Sequence, residues 1–119
     1  MKYQIAQLDL NARRGDTFYQ EIEAIDGSTN TAFDFSAAFD SAKMQIRELR
    51  SSPILVELDS ATVGEITLAA GKITLTKAAA DMDIPAGEYL YDVQGTTAAG
   101  EVFTIIAGKV TFSDDVTYS

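Results

Sequence analysis

The sequence predicts an all-β fold, an antiparallel β-sandwich of about seven to eight strands with one or two short helical turns, filling residues 1–119 as one domain. Three observations carry that expectation. Apolar and polar residues alternate with period two through nearly the whole chain, the mark of strands with one buried face. Turn-forming residues interrupt the alternation at intervals of roughly ten residues, as a sandwich requires. A chain of 119 residues buries roughly two thirds of its unfolded surface, enough for one core without staples.

The elements follow in order. Alternation in Tyr3 to Leu10 holds through Ile5 and slips by one at Leu8 and Leu10, as a bulge or a crossing between sheets would produce. Arg13-Arg14-Gly15-Asp16 reads as a turn, and Thr17 to Ile25 as a one-sided strand with Phe18, Ile22 and Ala24 inward beside Gln20. Asp26 to Asn30 is a polar loop with Gly27 as its flexible point. Phe33 to Ser41 reads as a short turn of helix or 3₁₀ capped by Asp34 or Ser36, both favoured N-cap residues. Ala42 to Arg47 alternates cleanly, and Ile54 to Leu58 is a strand with Pro53 at its mouth, as expected at a sheet edge. Gly64 to Ala69 and Lys72 to Thr76 flank Ala70-Gly71 as a hairpin. Lys77 to Asp83 is one helical turn that Pro85 keeps from continuing.

Two long strands close the chain. Ile84-Pro85-Ala86-Gly87-Glu88-Tyr89-Leu90-Tyr91-Asp92-Val93 breaks at Ala98-Ala99-Gly100 and resumes at Val102-Phe103-Thr104-Ile105-Ile106 and Val110-Thr111-Phe112. This is how the last hairpin of many immunoglobulin-like sandwiches is written. Tyr89, Tyr91 and Val93 share one face, and either tyrosine can anchor the corner through a hydroxyl bond to the backbone, as tyrosine corners do.

Composition narrows the chemistry. Cysteine and histidine are both absent, which removes disulfides, thiolate nucleophiles, imidazole bases and nearly every zinc, haem or iron–sulfur ligand set. Eighteen acidic against nine basic residues give a net charge of -9. Such a surface repels phosphate backbones, so no nucleic-acid binding is expected. It also suits a basic partner. Met1 to Ile5 carries one positive charge and no apolar stretch that would direct secretion, and no window is long enough for a membrane span. Synthesis in a reducing cytoplasm is therefore expected.

Motifs that bear chemistry are sparse. Arg14-Gly15-Asp16 matches the integrin-recognition tripeptide, but a Gly-Asp turn before a strand needs no further cause. Asp81, Asp83, Asp114 and Asp115 are the carboxylates best placed in sequence to gather round a calcium ion, although no loop has the EF-hand order and solvated loop acids are the simpler reading. No Ser, Thr or Lys stands in a nucleophile context and no Gly-rich loop leads into a long helix, so no enzyme and no cofactor are expected. Among eleven aromatics, Phe33, Phe35 and Phe39 crowd one connecting segment. They either close the end of the sandwich or form an apolar patch for a partner. With Tyr3 and Ile5, on a terminal strand able to add to another sheet edge, they are the candidate partner interface.

The order of these segments resembles the small immunoglobulin-like structural proteins of tailed bacteriophages, including the N-terminal domain type of baseplate upper proteins. The resemblance runs from Arg14-Gly15-Asp16-Thr17-Phe18 through Phe35-Ser36-Ala37-Ala38, Met44-Gln45-Ile46-Arg47, the Ile-Thr-Leu hairpin and Ala86 to Val93, to Gly108-Lys109-Val110-Thr111-Phe112 and Asp115-Val116-Thr117. It implies a virion component of the capsid surface, head-to-tail junction, tail or baseplate, made in the host bacterial cytoplasm. Its partners would be other virion proteins or further copies in an oligomer or lattice, with no membrane and no catalytic residues. The alternative expectation is a carbohydrate- or receptor-binding sandwich for host attachment, which should expose aromatics on a concave face; the lack of tryptophan counts against it.

Overall fold

The computed structural model describes residues 6–26, 30–49 and 51–114. Within them the strands are β1 (Ala6–Gln7), β2 (Leu10–Arg13), β3 (Phe18–Glu23), β4 (Ile25–Asp26), β5 (Thr31–Ala32), β6 (Ser41–Arg47), β7 (Ile54–Asp59), β8 (Ile66–Ala69), β9 (Lys72–Lys77), β10 (Gly87–Thr96) and β11 (Val102–Ser113). One helical turn, α1 (Phe35–Ala38), and a 3₁₀ turn (Ala79–Asp81) complete the list of elements. The larger sheet runs β1-β11-β10-β6-β7, with β2 also on β11, and the smaller runs β3-β9-β8. With β3, β9 and β8 standing as B, E and D and β6, β10 and β11 as C, F and G, this is the strand order of an immunoglobulin-like sandwich, extended by β7 beside C.

The inner faces follow from the alternation. Ala42, Met44 and Ile46 of β6 are buried, as are Val56 and Leu58 of β7 and Tyr91 and Val93 of β10; Phe18, Ile66, Ile73 and Leu75 meet them from the smaller sheet. The β8–β9 hairpin turns at Ala70-Gly71, where Gly71 takes φ +86°, a conformation that glycine adopts without steric cost.

Two expectations are corrected in detail. The sandwich is not wholly antiparallel, because β1 and β2 both run parallel to β11. The whole domain serves as the long crossover that a parallel pair needs. Second, the slip at Leu8 changes neither sheet nor register, since Ala6 faces Ile106 and Leu10 faces Val110. The chain kinks instead: the Leu8 N–H donates to the Ala107 carbonyl at 3.1 Å, and Asp9 Oδ1 accepts the Lys109 N–H at 3.1 Å. The long last strand, β11, forms as expected and carries a bulge besides, its pairing stepping from Val93↔Ile106 to Gln94↔Thr104. The unpaired Ile105 shifts the phase by one, so Ile105 and Ile106 are both buried.

The helical turn forms where expected. Asp34 Oδ1 accepts the N–H groups of Ser36 at 3.0 Å and Ala37 at 3.2 Å, as an N-cap does. The bond from the Ser36 hydroxyl, and then the one from the Ala37 N–H, hold its carboxyl below the usual range. Of the loop expected at 26–30, residues 27–29 lie outside the described chain; β4 and β5 pair on either side of them.

Both tyrosines of the last hairpin bond to backbone. Tyr89 donates to the Pro85 carbonyl at 2.6 Å and meets Phe112 edge-on at 5.5 Å, forming the corner. Tyr91, 4% exposed, donates to the Leu8 carbonyl at 2.5 Å and ties the first strand to the sheet. Burial, aided by the charge of Asp9, pushes the Tyr91 hydroxyl up to about 12. Because the folded value lies above the unfolded one, its contribution is complete below about pH 10 and fades as the pH rises towards about 12, by up to about 1.4 kcal/mol per unit. Urea unfolding at pH 8 and pH 11 should show a larger alkaline loss in the native chain than in Tyr91→Phe.

Candidate functional site

Register lays the outer face of the larger sheet out in rows. Ile54, Arg47, Leu90 and Lys109 stand side by side across β7, β6, β10 and β11. Next come Glu57, Gln45, Asp92 and Ala107, with Gln7 of β1 beyond. A third row holds Asp59, Lys43, Gln94 and Thr104. Long side chains on β6 and the kinked link between β1 and β2 rise on either side of Ala107 and Gly108, which carry little or no side chain. A polar hollow of about 790 Å³ results.

One wall of the hollow is already tied in place. Arg47 Nη1 donates to the Ser52 carbonyl at 2.6 Å and Nη2 to Gln45 Oε1 at 2.9 Å, while Gln45 Nε2 donates to Glu57 Oε2 at 2.9 Å. At the floor, Asp92 takes no side-chain hydrogen bond from any described residue. Burial pushes its carboxyl up, and the positive charge of Arg47 offsets part of that. Partial burial disfavours the ionised form, although the carboxylate oxygens still reach solvent.

The β7 edge is a second feature. Its outward groups are closed along one half: Lys77 Nζ donates to the Glu57 carbonyl at 3.0 Å and to Glu65 Oε2 at 2.6 Å, and Glu65 Oε1 accepts the Asp59 N–H at 2.9 Å. At the other half Leu49, Ile54 and Leu55 are 62%, 41% and 49% exposed. The bond from Lys77 is the main reason the Glu65 carboxyl lies below its usual value. A lowered folded value means that this contribution is present above the ordinary carboxylate pKa and is lost as the pH falls through the lowered one. Lys77→Met should cost about 2 kcal/mol at pH 7, between the exposed and buried cases for breaking an ion pair. It should also raise self-association in sedimentation, because it uncovers backbone at a sheet edge.

Of the expected interface residues, Tyr3 and Ile5 lie outside the described chain. Phe35 and Phe39 are buried at 4% and 2% exposure, and Phe33 packs partly buried against Phe35 with ring centroids 4.9 Å apart. The turn therefore closes the sandwich end, and the interface reading is corrected for Phe35 and Phe39. Room for Phe39 comes from Gly95, where a β-carbon would lie 2.6 Å from the ring. In the Arg14-Gly15-Asp16 turn, Arg14 Nε holds Asp83 at 2.7 Å and Nη1 lies 3.7 Å from Asp114. Two of the carboxylates considered for calcium thus converge on a guanidinium. No cluster of three metal-ligating side chains occurs among the described residues, and none of their helices is long and apolar enough to cross a membrane. The hollow and the exposed leucines escaped sequence reasoning; Ile54-Leu55-Val56, three apolar residues in a row where strict alternation allows none, was the available signal for the edge.

No family model and no curated protein matches the chain. A solved structure described as the crystal structure of ICOS in complex with ICOS-L and an anti ICOS-L VNAR domain aligns with 93% of this chain at 10% identity and a TM-score of 0.41. The chain spans 56% of that structure's matched chain.

Proposed function

We propose that this chain is a non-enzymatic structural module of a bacteriophage virion, in the tail, baseplate, head-to-tail adaptor or capsid decoration, acting through protein–protein assembly. The observation that carries the assembly part is the half-open β7 edge. Lys77 and Glu65 seal its second half, while Leu49, Ile54 and Leu55 remain exposed beside the first. An edge guarded only in part can admit a neighbouring strand over a few residues, and the apolar side chains supply the area that backbone bonds alone lack. Copies related by a twofold axis could meet there through the same patch. The virion part rests on the segment resemblance set out above and on the acidic surface, which suits a basic neighbour.

Sedimentation of the purified chain, and of Leu55→Lys, tests the assembly. Concentration-dependent association is expected in the native chain, with at least tenfold weaker association in the variant. A monomer at every concentration would remove the self-assembling version. Mass spectrometry of purified particles from the phage whose genome carries this sequence tests the placement, and absence from the particles would remove it. A second reading, a carbohydrate- or receptor-binding module for host attachment, is favoured by the polar hollow on the larger sheet.

A further inference from the structure

We infer that the hollow centred on Asp92 is a binding site for a neutral saccharide, with the Asp92 carboxylate accepting hydroxyl hydrogen bonds from the sugar. This rests on the second reading of function and is independent of assembly through β7. Size is the first argument. The hollow spans about 790 Å³ and is open to solvent, so one or two pyranose rings would lie along the sheet rather than be enclosed by it.

Charge is the second. The lining holds two acids, Asp9 and Asp92, and two bases, Arg47 and Lys109. The site is formally neutral in a chain of net charge -9, so it selects neither a strongly cationic nor an anionic ligand. Unspent hydrogen bonding is the third. Among the described residues, Asp92 accepts no side-chain hydrogen bond and the side chains of Gln7, Gln94 and Thr104 beside it make none, whereas Arg47 and Gln45 are already fixed by their own bonds. Hydroxyls that donate and accept at once are what such a mixture of groups satisfies. Leu90 and Ala107 offer small apolar surfaces on which the C–H face of a sugar ring can rest.

The test is a nuclear magnetic resonance titration of the full chain with maltose, lactose and N,N′-diacetylchitobiose, run beside heparin disaccharide and a tetralysine peptide. At least one neutral sugar is expected to move the Asp92, Gln94 and Ala107 amides saturably. Asp92→Asn should weaken it about tenfold, the effect of losing a charged acceptor. Gln94→Ala, on an exposed position, should weaken it severalfold without touching the fold, and Tyr19→Ser on the other sheet should leave it unchanged. Silence of those amides with all three neutral sugars, equal binding by Asp92→Asn and Gln94→Ala, or binding confined to the anionic or cationic probe would each overturn the assignment. None of these results depends on whether the chain associates in sedimentation, so the two readings fail separately.

Discussion

Phe39→Ala is expected to cost about 3–5 kcal/mol in urea unfolding, the range for emptying a buried aromatic site. Phe39 is 2% exposed, and the ring lies across Gly95 on the neighbouring strand β10, where any β-carbon would sit 2.6 Å to 2.9 Å from three ring atoms. The ring cannot retreat, because it follows directly on the capped turn that Asp34 fixes. Gly95→Ala alone should therefore cost about 1–3 kcal/mol by overpacking. The two changes share one space, so the double variant should lose less than the sum of the singles by about 1 kcal/mol or more, the new methyl filling part of the void the ring leaves. Additive losses would mean that Phe39 and Gly95 do not meet. A Phe39→Ala chain of native stability that failed to assemble would restore the interface role that the residue's place in sequence suggested.

That pair shows which part of the molecule could be read in advance. Most of what local chemistry sets was legible: the period-two strands, the Ala70-Gly71 turn, a cap at Asp34 or Ser36 and a corner at Tyr89 or Tyr91 all depend on residues within a few positions of each other, and the structure chose Asp34 and Tyr89. The burial of Phe39 was not, because the space it fills is made by a missing side chain at Gly95, on a strand far along the chain. The parallel pairing of β1 and β2 with β11 was hidden for the same reason, since partner choice over such a separation leaves no mark in either segment. The bulge at Ile105 could have been suspected from two adjacent isoleucines inside an alternating strand. The hollow had no such signal. Asp92 and Ala107 become neighbours only through register, and in sequence each looks like an ordinary solvent-facing residue. Arg14 and its acids illustrate the converse, a tripeptide with a ready functional label whose side chain closes a turn against Asp83.

The second large effect is expected at Gly108. A β-carbon there would lie 2.3 Å from the Leu8 carbonyl oxygen, 2.9 Å from the Leu8 carbonyl carbon and 3.1 Å from Asp9 Oδ1. Two of these are backbone atoms, and a backbone cannot swing aside as a flexible side chain can. The kink at Leu8-Asp9 is also pinned, by the Tyr91 hydroxyl on the Leu8 carbonyl and by the Asp9 bond to the Lys109 N–H. Gly108→Ala must therefore lift the first strand off β11, losing those bonds together at a cost of about 2–4 kcal/mol. Tyr91→Phe, which removes one hydroxyl and keeps the ring, should cost only about 1 kcal/mol. Hydrogen exchange distinguishes strand release from general weakening: in Gly108→Ala the Leu8 amide, bonded to Ala107 in the native chain, should lose protection far more than the amides of β6. Uniform loss across both sheets would sink the idea that Gly108 serves the first strand. Since Gln7 and Asp9 on that strand form the raised side of the Asp92 hollow, the same variant should also lose sugar binding while its β7 edge, on the opposite side of the sheet, still associates. A glycine in the last strand would then hold the binding face together by leaving the first strand room to lie against it.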